Sequence, residues 1–418
     1  MTGKRSDAAE LTSHLTDRLV DAVSNDAEVS RRAVLGGIGV AGAGAVGLSG
    51  RSRADDTPHD EASHGGFGPV GEFDSTDFDP HEFLREFNTG FDGADDLPQR
   101  VYERDGERVR EFELYASLKT IEIAPGVEFP AWTYQGQVPG PTLRATEGDI
   151  IRVKFQNRQS HPHTIHPHVK NVAPEMDGVP QNGPGVVEQG EEFVYEWRAQ
   201  PAGCHLYHCH SMPLKEHVHR GLYGAIIVDP DPERVARNPR DYVNYQGPIP
   251  DSYREDLVER AELRNHEYRA DEVDEQVMVM NGFDTNFDGD NEVYAANTRA
   301  FAYGVGDTDP TEGEWEAGDT IRPIQVQRDQ PVRVYLINTI EFDPINSFHT
   351  HSQFFDYYDH GTTLQPTHKT VDTVMQCQAQ RGIVELDYSD HEPGLYMFHA
   401  HQSEFAELGW MSFFEVQA

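Results

Sequence analysis

The chain repeats itself at the scale of a whole domain. Each half opens with a strand-like run ending in Asn, Phe155-Gln156-Asn157 in the first and Leu336-Ile337-Asn338 in the second. A His-x-His pair follows, then a long middle, then an aromatic residue ahead of a second His-x-His pair, and last an apolar run. Self-similarity over this length predicts two copies of one domain rather than a single large core. Within the copies, apolar and polar residues alternate between Pro/Gly turns, as in EFELYASLKTIEIAPGVEFPAWTYQGQVPGPTLRATEGDIIRVKFQNRQ, which begins at Glu111. That pattern predicts an all-β chain of two Greek-key β-sandwiches. Strands are expected from Asp149 to Asn157, from Glu191 to Arg198 and from Leu222 to Val228. In the second half QVMVMNGF, TIRPIQVQ, PVRVYLINT, HTHSQFFDYY, GIVELDY, LYMFHAHQ and MSFFEV carry the same pattern. The expected division is 1–54 signal region, 55–110 arm with one short helix near 80–87, 111–230 first domain, 231–275 linker with a short helix, and 276–418 second domain.

The copies differ at one informative position: the second has Ala400 where the first has Cys209. The stretch from Gly203 to Pro230, GCHLYHCHSMPLKEHVHRGLYGAIIVDP, holds His208-Cys209-His210 and then His217 and His219. In an extended segment side chains alternate faces, so the thiolate points one way and both imidazoles the other. The sulfur can then bind one copper while the imidazoles bind metal on the opposite side, with one or two residues of backbone between them. A buried free cysteine among surface histidines is the plainer reading. Three histidines and a cysteine within ten residues, in a chain with only 3 Cys, argue against it. The remaining histidines of interest fall in His163-Thr-Ile-His166-Pro-His168, His349-Thr-His351 and His399-Ala-His401. Imidazole suits copper, zinc or iron, and one thiolate added to imidazoles in a β-sandwich points to blue copper. Structural zinc would want more Cys. An iron facial triad would want a carboxylate with two His, and no such trio stands out.

These paired-His segments make the chain, from about 111 to 418, resemble a two-domain, laccase-like multicopper oxidase of the cupredoxin superfamily, with its type 1 copper in the first domain. The resemblance implies that His163, Cys209 and His217 form the type 1 site. It implies that His166, His168, His208 and His210, with His349, His351, His399 and His401, hold a trinuclear cluster, for four coppers per chain. It implies O2 as electron acceptor, and a homotrimer with each cluster shared between subunits. The loop after Cys209 departs from the common laccase pattern. Position 214 is Leu, the histidine comes at 217, and the axial Met position falls at Leu222. His219 is a rival for His217 in the same alternating row, and Met212 a rival axial ligand. Reduction of O2 also needs protons, and Asp177, Glu404 and Glu407 lie near the ligands in sequence. His161, His360, His368 and His391 are expected to be exposed. The reductant is open: a phenol, an aromatic amine, a metal ion or a small redox protein. A two-domain copper nitrite reductase is the alternative, sharing the trimer and the long loop. That family has a single type 2 copper held by three His, and an Asp where this chain has His166. A simple electron carrier would need the Cys site but not four His pairs.

Lys+Arg 34 against Asp+Glu 72 gives a net charge of -38, which excludes a nucleic-acid partner. Such a carboxylate surface suits solubility at high salt, where repulsion is screened, so a halophilic, haloarchaeal source is expected. Arg31-Arg32 ahead of the Gly/Ala-rich run Gly36 to Leu48 is expected to be a Tat-type export signal, with an anchored N-terminal helix as the alternative. The run is too short and Gly-rich to favour a spanning helix. The loop at Asp284-Thr-Asn-Phe-Asp-Gly begins like an EF-hand but has Ala295 at position twelve, and a solvated acidic turn is expected. Cys204 and Cys377 could pair or could be small buried hydrophobes.

Overall fold

The computed structural model describes residues 100–124, 127–269, 273–298 and 323–418. The export signal and the helix expected near 80–87 lie outside the described residues.

In the first half the strands are β1 (Arg100–Arg104), β2 (Glu107–Ala124), β3 (Val127–Tyr134), β4 (Gly140–Thr146), β5 (Ile150–Asn157), β6 (His166–Pro167), β7 (Glu192–Arg198), β8 (Gly203–His208) and β9 (Tyr223–Asp229). They form one sheet in the order β1-β2-β5-β7, with β3 on β2, and a second in the order β4-β9-β8-β6. The second half has β10 (Asp274–Phe283), β11 (Val293–Ala296), β12 (Ile324–Gln327), β13 (Val332–Asn338), β14 (Ile345–Thr350), β15 (Phe355–Asp359), β16 (His368–Val371), β17 (Thr373–Cys377), β18 (Arg381–Leu386), β19 (Gly394–His399) and β20 (Met411–Gln417). Its sheets run β11-β10-β13-β18-β15-β16 and β12-β20-β19-β14-β17. The repeat read from the sequence therefore extends to topology. The parallel pairs β2–β5 and β4–β9 reappear as β10–β13 and β12–β20. Even the register recurs, with His166 opposite His208 in one copy and His349 opposite His399 in the other.

Each pair of sheets encloses an aromatic and aliphatic core. Phe112, Val153, Phe155 and Trp197 meet Leu143, Ile226 and Val228 in the first sandwich, and Val334, Leu336 and Val384 meet Phe348, Phe398 and Phe414 in the second. A third apolar layer joins the sandwiches. Cys204, Leu206, Ala225 and Ile227 from the outer face of the β8–β9 sheet pack on Val277, Val279, Tyr335, Ile337 and Ile383. With both faces covered, β9 is buried along its whole length, which explains why it reads as a continuous apolar run. Each aliphatic side chain in these layers stabilises the fold by about 1.5–3 kcal/mol relative to exposure.

The structure departs from the sequence-based expectation at the edges of the first domain. Strands begin at Arg100, inside the expected arm, because Asp105 and Gly106 adopt positive φ (55° and 81°) and turn β1 back onto β2. An Asp-Gly hairpin signal is present there. Ion pairs rather than apolar alternation secure this ribbon. Arg104 pairs with Glu196, and Arg108 and Arg110 with Asp149. Among its described residues the expected linker holds three α-helices rather than one, α2 (Pro232–Arg237), α3 (Asp251–Arg264) and α4 (His266–Arg269), with a 3-10 turn at Pro239–Tyr242, following α1 (Leu214–His219) inside the first domain. The 14-residue α3 is inconspicuous in sequence because it buries little beyond Leu257, Ala261 and Arg264.

A buried ionic pin crosses between the sandwiches. Arg144 of β4 pairs with Asp229 of β9 (2.9 Å) and with Glu275 of β10 (2.7 Å), and Arg333 of β13 reaches Glu275 from the other side (3.0 Å). Burial alone would raise the Glu275 carboxyl, but Arg144 and Arg333 outweigh it and hold it down at about 2. A carboxylate depressed on folding contributes stability above its unfolded pKa, about 4.3, and loses it as the pH falls towards the folded value. Acid unfolding is therefore expected between about pH 4 and 2. Arg144→Met, which removes the guanidinium that Asp229 and Glu275 share and leaves them only His266 and Arg333, is expected to cost about 3 kcal/mol in a denaturant titration at neutral pH. A wild-type midpoint for that variant would show the pin to be dispensable.

Candidate metal centres

The first site gathers three donors from three separate elements. Cys209 directly follows β8, His163 lies beyond β5 in an isolated bridge to Val187, and His217 is on α1. The sulfur is 3.2 Å from His217 Nδ1 and 3.7 Å from His163 Nδ1, and the two nitrogens are 3.2 Å apart. All three residues are essentially inaccessible, at 0%, 0% and 1% exposure. Burial pushes His163 down to about 2 with help from the neighbouring His217, and His217 down to about 4, while the Cys209 thiol is pushed up. The apo site is thus uncharged. A cation is what would draw the thiolate out.

The outer nitrogen of His163 is held by Gln159, whose Oε1 accepts from Nε2–H and leaves Nδ1 bare. The sequence pattern gives no hint of Gln159, four residues upstream in an irregular segment. Thr164 N–H donates to the sulfur (3.4 Å). Leu222 is fully buried in the core that contains Cys209, and its carbonyl accepts from Cys209 N–H (2.9 Å). Met212 turns outward at 67% exposure, which removes it as the axial rival. His219 is also set apart. Residues 217 and 219 sit on a helix, where a two-residue step rotates the side chain by about 200°, and not in an alternating row. His219 Nε2 accepts from Asp284 N–H (2.9 Å), and its ring packs against Phe129 and Phe342.

The other eight histidines form two quartets built alike. In the first sandwich the rings of His166 and His168 lie 5.1 Å apart and those of His166 and His208 5.3 Å, with His210 5.3 Å from His166. In the second, His349 lies 5.1 Å from His351, 5.2 Å from His399 and 4.8 Å from His401. His168 Nε2 faces His208 Nε2 at 3.1 Å, as His351 Nε2 faces His399 Nε2 at 3.0 Å. The tautomers are fixed from behind. His208 Nδ1–H donates to the Cys209 carbonyl (2.9 Å) and His399 Nδ1–H to the Ala400 carbonyl (2.6 Å), leaving both Nε2 atoms as bare lone pairs. Bare lone pairs converging at 3 Å suit a cation between them. Burial holds His168 at about 2 and His208 at about 4, so both rings are uncharged at neutral pH.

Carboxylates stand behind the first imidazole of each quartet. His166 Nδ1–H donates to the Asp177 carbonyl (2.7 Å), with the Asp177 carboxylate 3.3 Å away. His349 Nδ1 contacts the Asp372 carbonyl (2.9 Å) and Thr373 Oγ1 (2.8 Å), and that hydroxyl donates to the Asp372 carboxylate (3.1 Å). Asp372 has no counterpart spacing in the first copy, which hides it in the sequence. Glu404 and Glu407 are exposed on α5 (Ser403–Glu407).

Several side expectations change. Cys204 is buried, Cys377 exposed, and both are free thiols. His161 and His368 are exposed, whereas His360 and His391 are half-buried, His391 donating to the Ser352 carbonyl (3.0 Å). The loop at Asp284 is solvated at its tip, where Asn286, Asp288 and Asp290 are exposed, but not at its first residue. Asp284 is 2% exposed, and its carboxylate accepts the N–H groups of Asp288 and Gly289.

Two multicopper oxidase family models match the chain, over residues 116–233 and 287–418, and the chain belongs to that family. A solved multicopper oxidase is 42% identical, with a TM-score of 0.60 over 76% of this chain and 93% of its own. A copper nitrite reductase from Nitrosomonas europaea, 20% identical with a TM-score of 0.55 over 74% of this chain and 94% of its own, shares the fold. A probable nitrite reductase–hydroxylamine oxidoreductase fusion protein from Kuenenia stuttgartiensis is 28% identical over 73% of this chain and 31% of its own length. The chain spans about a third of the curated relatives it matches first. The family is one of copper oxidoreductases, and the sandwiches here are cupredoxin-like. The donor set, one buried thiolate with imidazoles whose free nitrogens converge, fits copper.

Proposed function

We propose that the protein is a laccase-like oxidase that takes single electrons from a reductant at a type 1 centre and passes them to O2, forming water. The pair of matching imidazole quartets carries this reading. One type 2 copper needs three imidazoles, whereas eight are the donor set for a trinuclear cluster. When bound, the coppers would supply one-electron uptake at Cys209, His163 and His217 and four-electron delivery to O2 at the quartets. His208 and His210 flank Cys209, so the link between the two centres is a short covalent path. Leu222 would leave the type 1 site without an axial sulfur. Asp177, with Asp372 as its counterpart, would hold protons next to His166 and His349, and Glu404 and Glu407 lie just beyond His401.

Among the described residues, no group of three close donors mixes the two quartets. The second quartet is the more open, with His351 and His401 exposed. Strand alternation puts Ile345, Met375 and Leu395, at 40%, 65% and 41% exposure, on the same sheet face as His349 and His399. A neighbouring copy presenting its first quartet to this face would complete the cluster, and a head-to-tail ring of three closes the set. The reductant belongs to the phenols, aromatic amines, metal ions or small redox proteins. The twin arginines support export by a Tat-type route, and the acidic composition suits high salt.

The nitrite reductase reading draws on that likeness and on the long loop between Cys209 and His217. Copper content per chain, with EPR and visible absorption on one sample, separates the two. About four coppers with type 1 and type 2 signals is the expected result. Two per chain would put nitrite reduction first.

A further inference from the structure

Both imidazoles of the type 1 site are sealed from solvent, His163 at 0% and His217 at 1% exposure. A reductant outside the protein therefore touches neither. What covers them is the indole of Trp132, on β3, itself 4% exposed. Its ring meets His217 edge-on at 4.7 Å between centroids and His163 at 5.5 Å, so it contacts both nitrogen ligands. On the outward side, the exposed ring of His161 lies over the same indole at 4.6 Å with a 32° tilt. His161, Trp132 and His217 thus form a contact chain of three π-systems from solvent to the centre.

Resting on the oxidase reading above, we propose that Trp132 is the obligatory bridge for electron uptake, and that reductants act by outer-sphere transfer from the His161–Trp132 surface. One electron would leave the donor and be taken up by the oxidised copper that Cys209, His163 and His217 would hold, and Trp132 would end in the state in which it began. No proton moves onto or off the indole. Arg220 supports this role: its guanidinium lies 4.9 Å from the Trp132 ring centroid and 4.7 Å from that of Phe287. A cation over the π-face makes removal of an electron from the indole harder. The ring therefore serves as a tunnelling medium and is not itself oxidised. Tunnelling decays steeply with each gap between packed atoms, so loss of the indole opens a gap on both sides of the path. The proposal excludes donors that must coordinate a ligand imidazole and favours planar aromatic or compact complex donors that can lie against the surface.

The test is anaerobic reduction of the copper-loaded protein, followed by bleaching of its visible band, with hydroquinone and hexacyanoferrate(II) as donors. Trp132→Phe keeps the apolar plug but shortens the ring system. It is expected to slow bleaching about tenfold or more with both donors, a barrier increase of about 1.4 kcal/mol, with band position and EPR line shape unchanged. Wild-type rates in a variant with an unchanged band would overturn the bridge. If Trp132→Phe disturbs the band, His161→Ala decides, because the His161 ring lies on the indole. Exposing the indole should speed hydroquinone, and a slower or unchanged rate would count against the proposal. A readout free of reduction is indole emission from the apo chain. Copper loading should quench a component that Trp132→Phe removes, and quenching that persists in full would also overturn the contact. If the wild-type protein forms no type 1 band, the oxidase reading itself has failed and the proposal falls with it.

Discussion

His351→Ala is expected to lose most of its copper and to remain blue. His351 lies at the exposed edge of the second quartet, with its Nε2 3.0 Å from that of His399. A surface imidazole contributes little to folding, within about 0.5 kcal/mol, so the change should report on metal and not on stability. Removing it leaves the second quartet one donor short, and metal content is expected to fall from about four coppers per chain to about one. Turnover with O2 should drop by more than about a hundredfold while the visible band stays near full strength. Elemental analysis and absorption on one sample read both effects. Retention of the full copper complement would sink the cluster assignment. Equal loss of blue absorption would instead mean that the two centres do not load independently.

Cys209→Ser should do the converse. A serine hydroxyl does not deprotonate beside a metal as a thiol does, so His163 and His217 lose the soft, charged ligand that makes the site blue. The side chain is fully buried, yet serine is nearly isosteric and can accept from Thr164 N–H, so the stability cost should stay near 1 kcal/mol. The visible band is expected to vanish, about three coppers per chain to remain, and turnover with every reductant to fall more than about a hundredfold. A persisting intense band would show that the sulfur is not a ligand. The pair of variants brackets the proposed electron path from both ends.

Much of this arrangement was legible in the sequence because its signals are local. The order of strand, paired histidines, aromatic and strand fixes which imidazoles share a face, and the structure brings together all eight in two quartets, with Cys209, His163 and His217 apart from them. What escaped the sequence depends on contacts that no local pattern carries. Gln159 reaches His163 across an irregular turn, and Asp372 meets His349 only because β17 runs beside β14. The β1–β2 ribbon was hidden because ion pairs hold it, and periodicity responds to apolar residues. The separation of His219 from His217 failed for another reason. Alternation puts the two imidazoles in one row, but the six residues from Leu214 to His219 wind into a helix.

The carbonyl latch behind His208 and His399 bears on how such a chain could have arisen. In each copy, the imidazole is oriented by the main-chain oxygen of the next residue, cysteine in one and alanine in the other. Because every residue type brings the same carbonyl, the neighbouring side chain was free to change. After duplication of an ancestral domain, one descendant could surrender its thiolate, and with it a mononuclear site, without disturbing the histidine beside it. Division of labour between the twins required no reinvention of the shared half.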